Sequence, residues 1–96
     1  MDIDYIRELV KFDRIKLSKE ARKRMVQRNV SFEQIEKAIS RGRIIRREPK
    51  TGPYPKCTIL GYVEREIAGL MLPEPQPLNV ACAVGEELHI ITLYWE

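Results

Sequence analysis

The sequence predicts a single α+β domain in which two or three N-terminal helices pack on one face of a four-stranded antiparallel sheet. Apolar residues recur at helical spacing as far as residue 41, and after Gly42 they alternate with polar residues, as they do in strands. The chain has 96 residues, of which 44% are hydrophobic and 32% charged. This composition is typical of one folded domain over residues 1–96 rather than of a disordered tail.

Local signals place the first two helices. A short N-terminal helix begins at Asp2 and Asp4, because carboxylates are favoured at the positive end of the helix dipole. Ser18 is a good N-cap for a second helix over about 19–28. Asn29 can end this helix in the left-handed conformation.

A third helix and four strands follow. Ser31 and Gln34 match the capping-box pattern, which predicts a helix over about 32–41, and Gly42 suits the residue after a helix because it has no Cβ. The period then changes to two. The predicted strands are Arg43–Glu48, Lys56–Val63, Pro77–Val84 and Glu87–Trp95.

The join between the last two strands predicts their register. Glycine at the first position of the pair Gly85-Glu86 favours a two-residue type II′ turn. In that register Asn79 lies opposite Thr92, and His89 belongs to the bulkier face, which we expect to pack on the helices. The other face is left as a shallow platform that bears Asn79, Thr92 and Tyr94. A bulge in either strand would change this assignment.

Charge is distributed unevenly along the chain. Sixteen of the seventeen Lys and Arg residues but only eight of the fourteen Asp and Glu residues lie in residues 1–56, so this part carries +8 and residues 57–96 carry −5. Such a basic region favours a polyanion, above all nucleic acid, over an incidental run of charge. The residues that we expect to bind RNA phosphates are Lys19, Lys23, Arg43, Arg46 and Arg47.

Three charged residues form a line along the second helix. Glu20, Arg24 and Arg28 are spaced four residues apart and therefore share one side of the helix. The two guanidinium groups can bind phosphate oxygens, and the carboxylate can accept a proton. The same spacing is also typical of a solvated helix face stabilised by ion pairs.

For the two cysteines and the histidine we expect structural roles. We expect Cys57 and Cys82 to be small buried residues rather than a disulfide, and with His89 they lack the spacing of a zinc site. No cofactor is expected. The sequence shows neither a signal peptide nor an apolar run that would span a membrane, so we expect a cytoplasmic protein with no membrane partner.

Three blocks of the sequence resemble the family known as domain of unknown function 4258. They are SKEARKRMVQRNVS from Ser18, PYPKCTILGY from Pro53 and IITLY from Ile90, and the resemblance covers about residues 15–94. It implies a RelE-like or barnase-like fold and a metal-independent endoribonuclease of a toxin–antitoxin pair, which cuts RNA through attack of the RNA's own 2′-hydroxyl. It also implies a small zinc-ribbon antitoxin as a partner.

The resemblance assigns candidate catalytic residues. Two histidines usual in the family correspond to Glu20 and Asn79 in this chain. Glu20 is then the candidate base, Tyr94 a proton donor or a stacking surface for a base, and Asn79 orients the phosphate. The other candidate catalytic residues are Arg24, Arg28 and Thr92.

The two replaced histidines leave an alternative open. It is a catalytically degenerate module that binds RNA or an antitoxin without nuclease activity. A third possibility is an interaction domain recruited through the acidic, proline-rich segment Glu64–Gln76.

Overall fold

The helix and strand boundaries follow these local signals closely. The computed structural model describes residues 2–50 and 52–96. The helices are α1 (Ile3–Lys11), α2 (Lys19–Gln27) and α3 (Phe32–Arg41). The strands are β1 (Ile15–Leu17), β2 (Arg43–Glu48), β3 (Lys56–Val63), β4 (Glu66–Ile67), β5 (Leu70–Met71), β6 (Gln76–Val84) and β7 (Leu88–Trp95).

The predicted caps of α2 and α3 are confirmed. The Ser18 hydroxyl accepts a hydrogen bond from the Ala21 amide at 2.9 Å. Ser31 and Gln34 form the capping box, because each side chain accepts from the other residue's amide, at 3.1 and 2.8 Å. Asn29 follows α2 with a φ of 52°, the left-handed conformation that frees the chain to turn into α3.

The main sheet has five strands in the order β1-β7-β6-β3-β2, so the prediction of four strands is wrong by one. The additional strand, β1, pairs in parallel with β7, whereas the other neighbours are antiparallel. The segment that joins β3 to β6 contains a second small sheet, the hairpin of β4 and β5. The α+β class and the antiparallel pairing of the four predicted strands are confirmed.

The helical layer lies close against the middle of the sheet. A Cβ on Gly61 of β3 would come within 2.1 Å of the Ala38 carbonyl oxygen in α3, and one on Gly42 would come within 2.3 Å of the same atom. Gly42 has φ −89° and ψ −174°, which is extended backbone. Its glycine is therefore required by this close approach of helix and sheet, and the expected role as a strain-free helix end is secondary.

The turn between β6 and β7 is one residue longer than expected. Three residues separate Val84 from its partner Leu88, and Ala83 is opposite His89. Because side chains alternate between the faces of a strand, this shift moves His89 to the face away from α1 and α3. The prediction that His89 packs against the helices is wrong.

A bulge moves the register again between Ala81 and Cys82. Beyond it Ala81 is opposite Thr92 and Asn79 is opposite Tyr94, so the predicted pairing of Asn79 with Thr92 is also wrong. The two shifts add up to two residues, an even number. Asn79, Thr92 and Tyr94 therefore still share the face that was predicted for them.

The core between helices and sheet includes both cysteines. Cys57 and Cys82 are buried, free and opposite each other on β3 and β6, with 3.5 Å between their Sγ atoms. The hydrogen bond with Cys57 and burial raise the pKa of the Cys82 thiol. Their prediction as small buried residues is confirmed.

Within the described residues, no helix is long and apolar enough to cross a membrane.

Candidate functional site

One face of the five-stranded sheet is turned away from α1 and α3, and we call it the open face. Pairing between strands arranges most of its side chains in three rows that cross the sheet, and the pair of Tyr62 and Pro77 lies beyond the third row. The first row is Glu48, Lys56, Ala83, His89 and Lys16; the second is Arg46, Thr58, Ala81 and Thr92; the third is Arg43, Leu60, Asn79 and Tyr94.

Small side chains occupy the centre of the open face, and basic residues lie beside them. Ala81 and Ala83 are the smallest side chains in the centre of the rows, and a cavity of about 160 Å³ opens beside Ala81. Arg46, Lys56, Thr58 and Glu48 line this cavity, and the Arg46 Nε atom is 3.1 Å from Glu48 Oε1. The volume corresponds to about five water molecules. The cavity therefore has room for a group the size of a phosphate, and its charged lining consists of two cations and one carboxylate.

Asn79 is the buried polar residue of the open face. Its side chain is 1% exposed, and Nδ2 has no hydrogen-bond partner among the residues that the structure describes. Its neighbours across the strands are Leu60 and Tyr94, and Tyr94 is 42% exposed. The expectation of Asn79 as an exposed platform residue is therefore wrong in one respect. It lies on the expected face but beneath the surface.

Helix α2 runs beside β7, along the part of this strand that is not paired with β1. The Ser18 hydroxyl donates to the Ile91 carbonyl at 2.7 Å at one end of the helix. At the other end the Arg28 guanidinium donates to the Leu93 carbonyl, and the Trp95 indole N–H donates to the Arg28 carbonyl at 3.1 Å. Arg28 thus joins helix and strand, which is a structural role.

Glu20 and Arg24 lie on the side of α2 that borders the open face. Ala21 is buried against the sheet, and Met25 packs on the core side of the helix. Around the helix, Met25 lies to one side of Ala21, and helical spacing places Glu20 and Arg24 to the other side. Arg24 Nη2 is 3.9 Å from Glu20 Oε1, and Arg24 Nη1 donates to Gln27 at 2.8 Å.

The predicted phosphate-binding residues do not all reach the open face. Arg43 and Arg46 do, because their partners on β3 are Leu60 and Thr58. A bulge between Ile44 and Arg46 places Arg47 opposite the core residue Cys57 instead, on the helix side of the edge strand. Lys19 and Lys23 are exposed on the outer side of α2.

The open face also contains residues that sequence reasoning missed. Lys56 belongs to it through the alternation of β3, a signal that was present in the sequence. His89 and Tyr54 are stacked with their ring planes 12° apart and centroids at 6.0 Å. No local signal could have predicted this contact, because it depends on the length of the turn between β6 and β7 and on the register of β3.

Comparison with known proteins gives one result for this chain. A family model described as Domain of unknown function (DUF4258) matches residues 17–95. No curated protein and no solved structure matches the chain significantly.

Proposed function

The chain belongs to the DUF4258 family, a domain of unknown function, and from that premise we propose that it binds RNA on its open face and cleaves it as a toxin-like, metal-independent endoribonuclease. The observation that carries the proposal is a sheet face with cations along both sides and polar groups at its centre. Helices on one side of a largely antiparallel sheet support the kinship with RelE-like and barnase-like ribonucleases that we propose.

RNA binding follows from the position of the charges. Arg43 and Arg46 stand on β2, and Arg24 stands beside β7. Three strand spacings separate β2 from β7, or about 14 Å. Lys56 lies between these edges. A single RNA strand laid across the face meets cations from both sides, and they contact its phosphates without reading its sequence.

Cleavage requires a proton acceptor, a proton donor and positive charge near the phosphorus. In the proposed reaction Glu20 takes the proton of the 2′-hydroxyl, and the 2′-oxygen forms a bond to phosphorus as the bond to the 5′-oxygen breaks. The Tyr94 hydroxyl gives its proton to the leaving 5′-oxygen. Arg24 stabilises the charge on the phosphate, and Thr92 orients it.

A second candidate function is RNA binding without cleavage. It is favoured by the state of the two residues that replace the family's histidines. Glu20 is engaged in an ion pair with Arg24. Asn79 is a buried amide, and an amide side chain does not act as a general acid or base near neutral pH. Loss of a general acid or base costs about 10²–10⁴ in rate.

A protein partner of the antitoxin type, a small zinc-ribbon protein, remains a proposal from the same resemblance. It is supported by the hairpin of β4 and β5, which exposes Ile67, Leu70 and Met71 next to Glu66. Exposed apolar patches with a polar rim are typical of protein interaction sites. Co-expression with a small zinc-ribbon protein of the antitoxin type, followed by co-purification with wild type and with a Leu70→Ser variant, tests it.

Binding and cleavage are tested together with the full chain and labelled single-stranded RNA in EDTA. With four phosphates neutralised, we expect affinity to fall about 50-fold between about 50 and 200 mM salt. The double variant Arg43→Ala, Arg46→Ala should bind more weakly and with a smaller salt dependence. The matched pair is Arg46→Ala and Arg47→Ala, because each variant removes one positive charge and the two side chains lie on opposite faces of the same strand.

The outcomes separate the two candidate functions. Cleavage that disappears in Glu20→Gln and Tyr94→Phe supports the endoribonuclease. Salt-dependent binding with intact RNA over a range of sequences supports the non-catalytic module. Absence of binding at low salt, or equal losses in Arg47→Ala and the open-face variant, would contradict RNA binding on this face.

A further inference from the structure

The first row of the open face places an imidazole among cations. His89 is the single histidine of the chain, and its neighbours across the strands are Ala83 on β6 and Lys16 on β1. Lys56 follows on the far side of Ala83. Because alanine is short, the imidazole stands clear of its neighbour on that side. The row therefore places the ring between two lysines, with Lys16 on the adjacent strand and Lys56 two strands away, and Glu48 ends the row beyond Lys56.

Tyr54 is held beside this imidazole by the backbone around it. The Val84 amide donates to the Pro55 carbonyl at 2.9 Å, which fixes the loop that carries Tyr54 to the end of β6. A Cβ on Gly85 would come within 2.9 Å of the Tyr54 ring, so the turn has room for this ring only because residue 85 is glycine. Tyr54 nevertheless remains 44% exposed.

We infer that Tyr54 and His89 form a subsite for one unpaired nucleobase, and that Lys16 and Lys56 contact the phosphates on either side of that nucleotide. The inference rests on the proposed function, which it extends from the RNA backbone to a base. Rings that offer a π face beside a basic groove are the means by which proteins hold single-stranded nucleic acid.

The local charges favour a nucleotide over an uncharged aromatic ligand. Lys16 Nζ is 3.5 Å from Glu87 Oε1, and this lysine is 63% exposed, so it keeps donors for a phosphate. Lys56 lines the cavity of the open face together with Arg46. The subsite and the phosphate-sized cavity are therefore continuous along β3, and one RNA strand can occupy both.

The single histidine makes a direct test possible, because its two carbon-bound protons give the only imidazole signals in an NMR spectrum. Adenosine 5′-monophosphate should shift these signals upfield, through the ring current of the stacked base. Ribose 5-phosphate carries the same phosphate without a base and should not. Equal shifts with both compounds would overturn the subsite and leave only an anion site.

RNA affinity provides the second measurement. Tyr54→Ala should weaken binding of a short single-stranded RNA about fivefold or more, the lower end of what one stacked base contributes, and Tyr54→Phe should retain it. Phe12→Ala is the control, because Phe12 is an exposed aromatic residue that ends α1, outside the open face.

These two measurements distinguish the failure of this inference from that of the proposed function. If the wild-type protein binds RNA and Tyr54→Ala binds it equally well, the subsite is overturned and RNA binding stands. If the wild-type protein binds no RNA while adenosine monophosphate still shifts His89, the proposed function fails and the nucleotide subsite stands.

Discussion

Replacement of Asn79 by leucine should make this protein more stable. The Asn79 side chain is 1% exposed, and its Nδ2 has no partner among the described residues, so folding removes this donor from water without compensation. Such a group costs about 1–3 kcal/mol, and leucine has a similar shape without it. We therefore expect Asn79→Leu to raise the free energy of unfolding by about 1–3 kcal/mol. In a domain of this size, Tm rises by about 4–8 °C for each kcal/mol.

Urea denaturation of wild type and variants measures this difference. Asn79→Asp is the contrasting variant, since a buried carboxylate without a partner should lower stability. A variant less stable than wild type would refute the reasoning, because it would show that the amide has a hydrogen-bond partner in solution.

Three further predictions concern packing and titration. Gly61→Ala should lower the free energy of unfolding by about 3 kcal/mol or more, because its Cβ would come within 2.1 Å of a backbone oxygen of α3. Gly52→Ala is the control and should change the free energy of unfolding little, because no atom lies within 4 Å of the new Cβ. Equal urea midpoints for the two variants would contradict this prediction. A hydrogen bond from its own backbone amide and then the Arg41 guanidinium lower the pKa of Glu64, so Arg41→Ala should raise that pKa in a carboxyl NMR titration. The stability from this pair is present at neutral pH and is lost as pH falls through the folded-state pKa. Cys82 is fully buried, and the hydrogen bond with Cys57 and then burial raise the pKa of its thiol, so iodoacetamide should alkylate it only as fast as the protein unfolds. Rapid reaction of the native protein would contradict that burial.

The helices could be predicted because their signals are local. Ser18, Ser31 and Gln34 make their cap bonds within four residues, so the sequence contains both partners of each interaction. The three residues of β1 are different. They alternate for too short a stretch to indicate a strand, and they become one only by pairing with β7 far along the chain.

The candidate site could be predicted only where its residues follow from strand alternation. Thr92 and Tyr94 lie on the expected face, although two register errors cancel to put them there. In β2 a single bulge has no partner to cancel it, so Arg46 rather than Arg47 shares the face of Arg43. Bulges depend on how neighbouring strands twist and pack, so a run such as Ile90-Ile91 does not reveal which residue is the extra one.

The pairing of β1 with β7 has a consequence for synthesis of the protein. These strands are about 70 residues apart in the sequence, and α2 docks on β7 through Arg28 and Ser18. On the ribosome, β1 and α2 emerge before β7 and do not have the β7 edge to bind until it has followed. At about 5–20 residues per second this delay lasts several seconds. The basic helix and the open face are therefore assembled into one surface only after β7 has been synthesised, and a chain interrupted before β7 lacks that surface altogether.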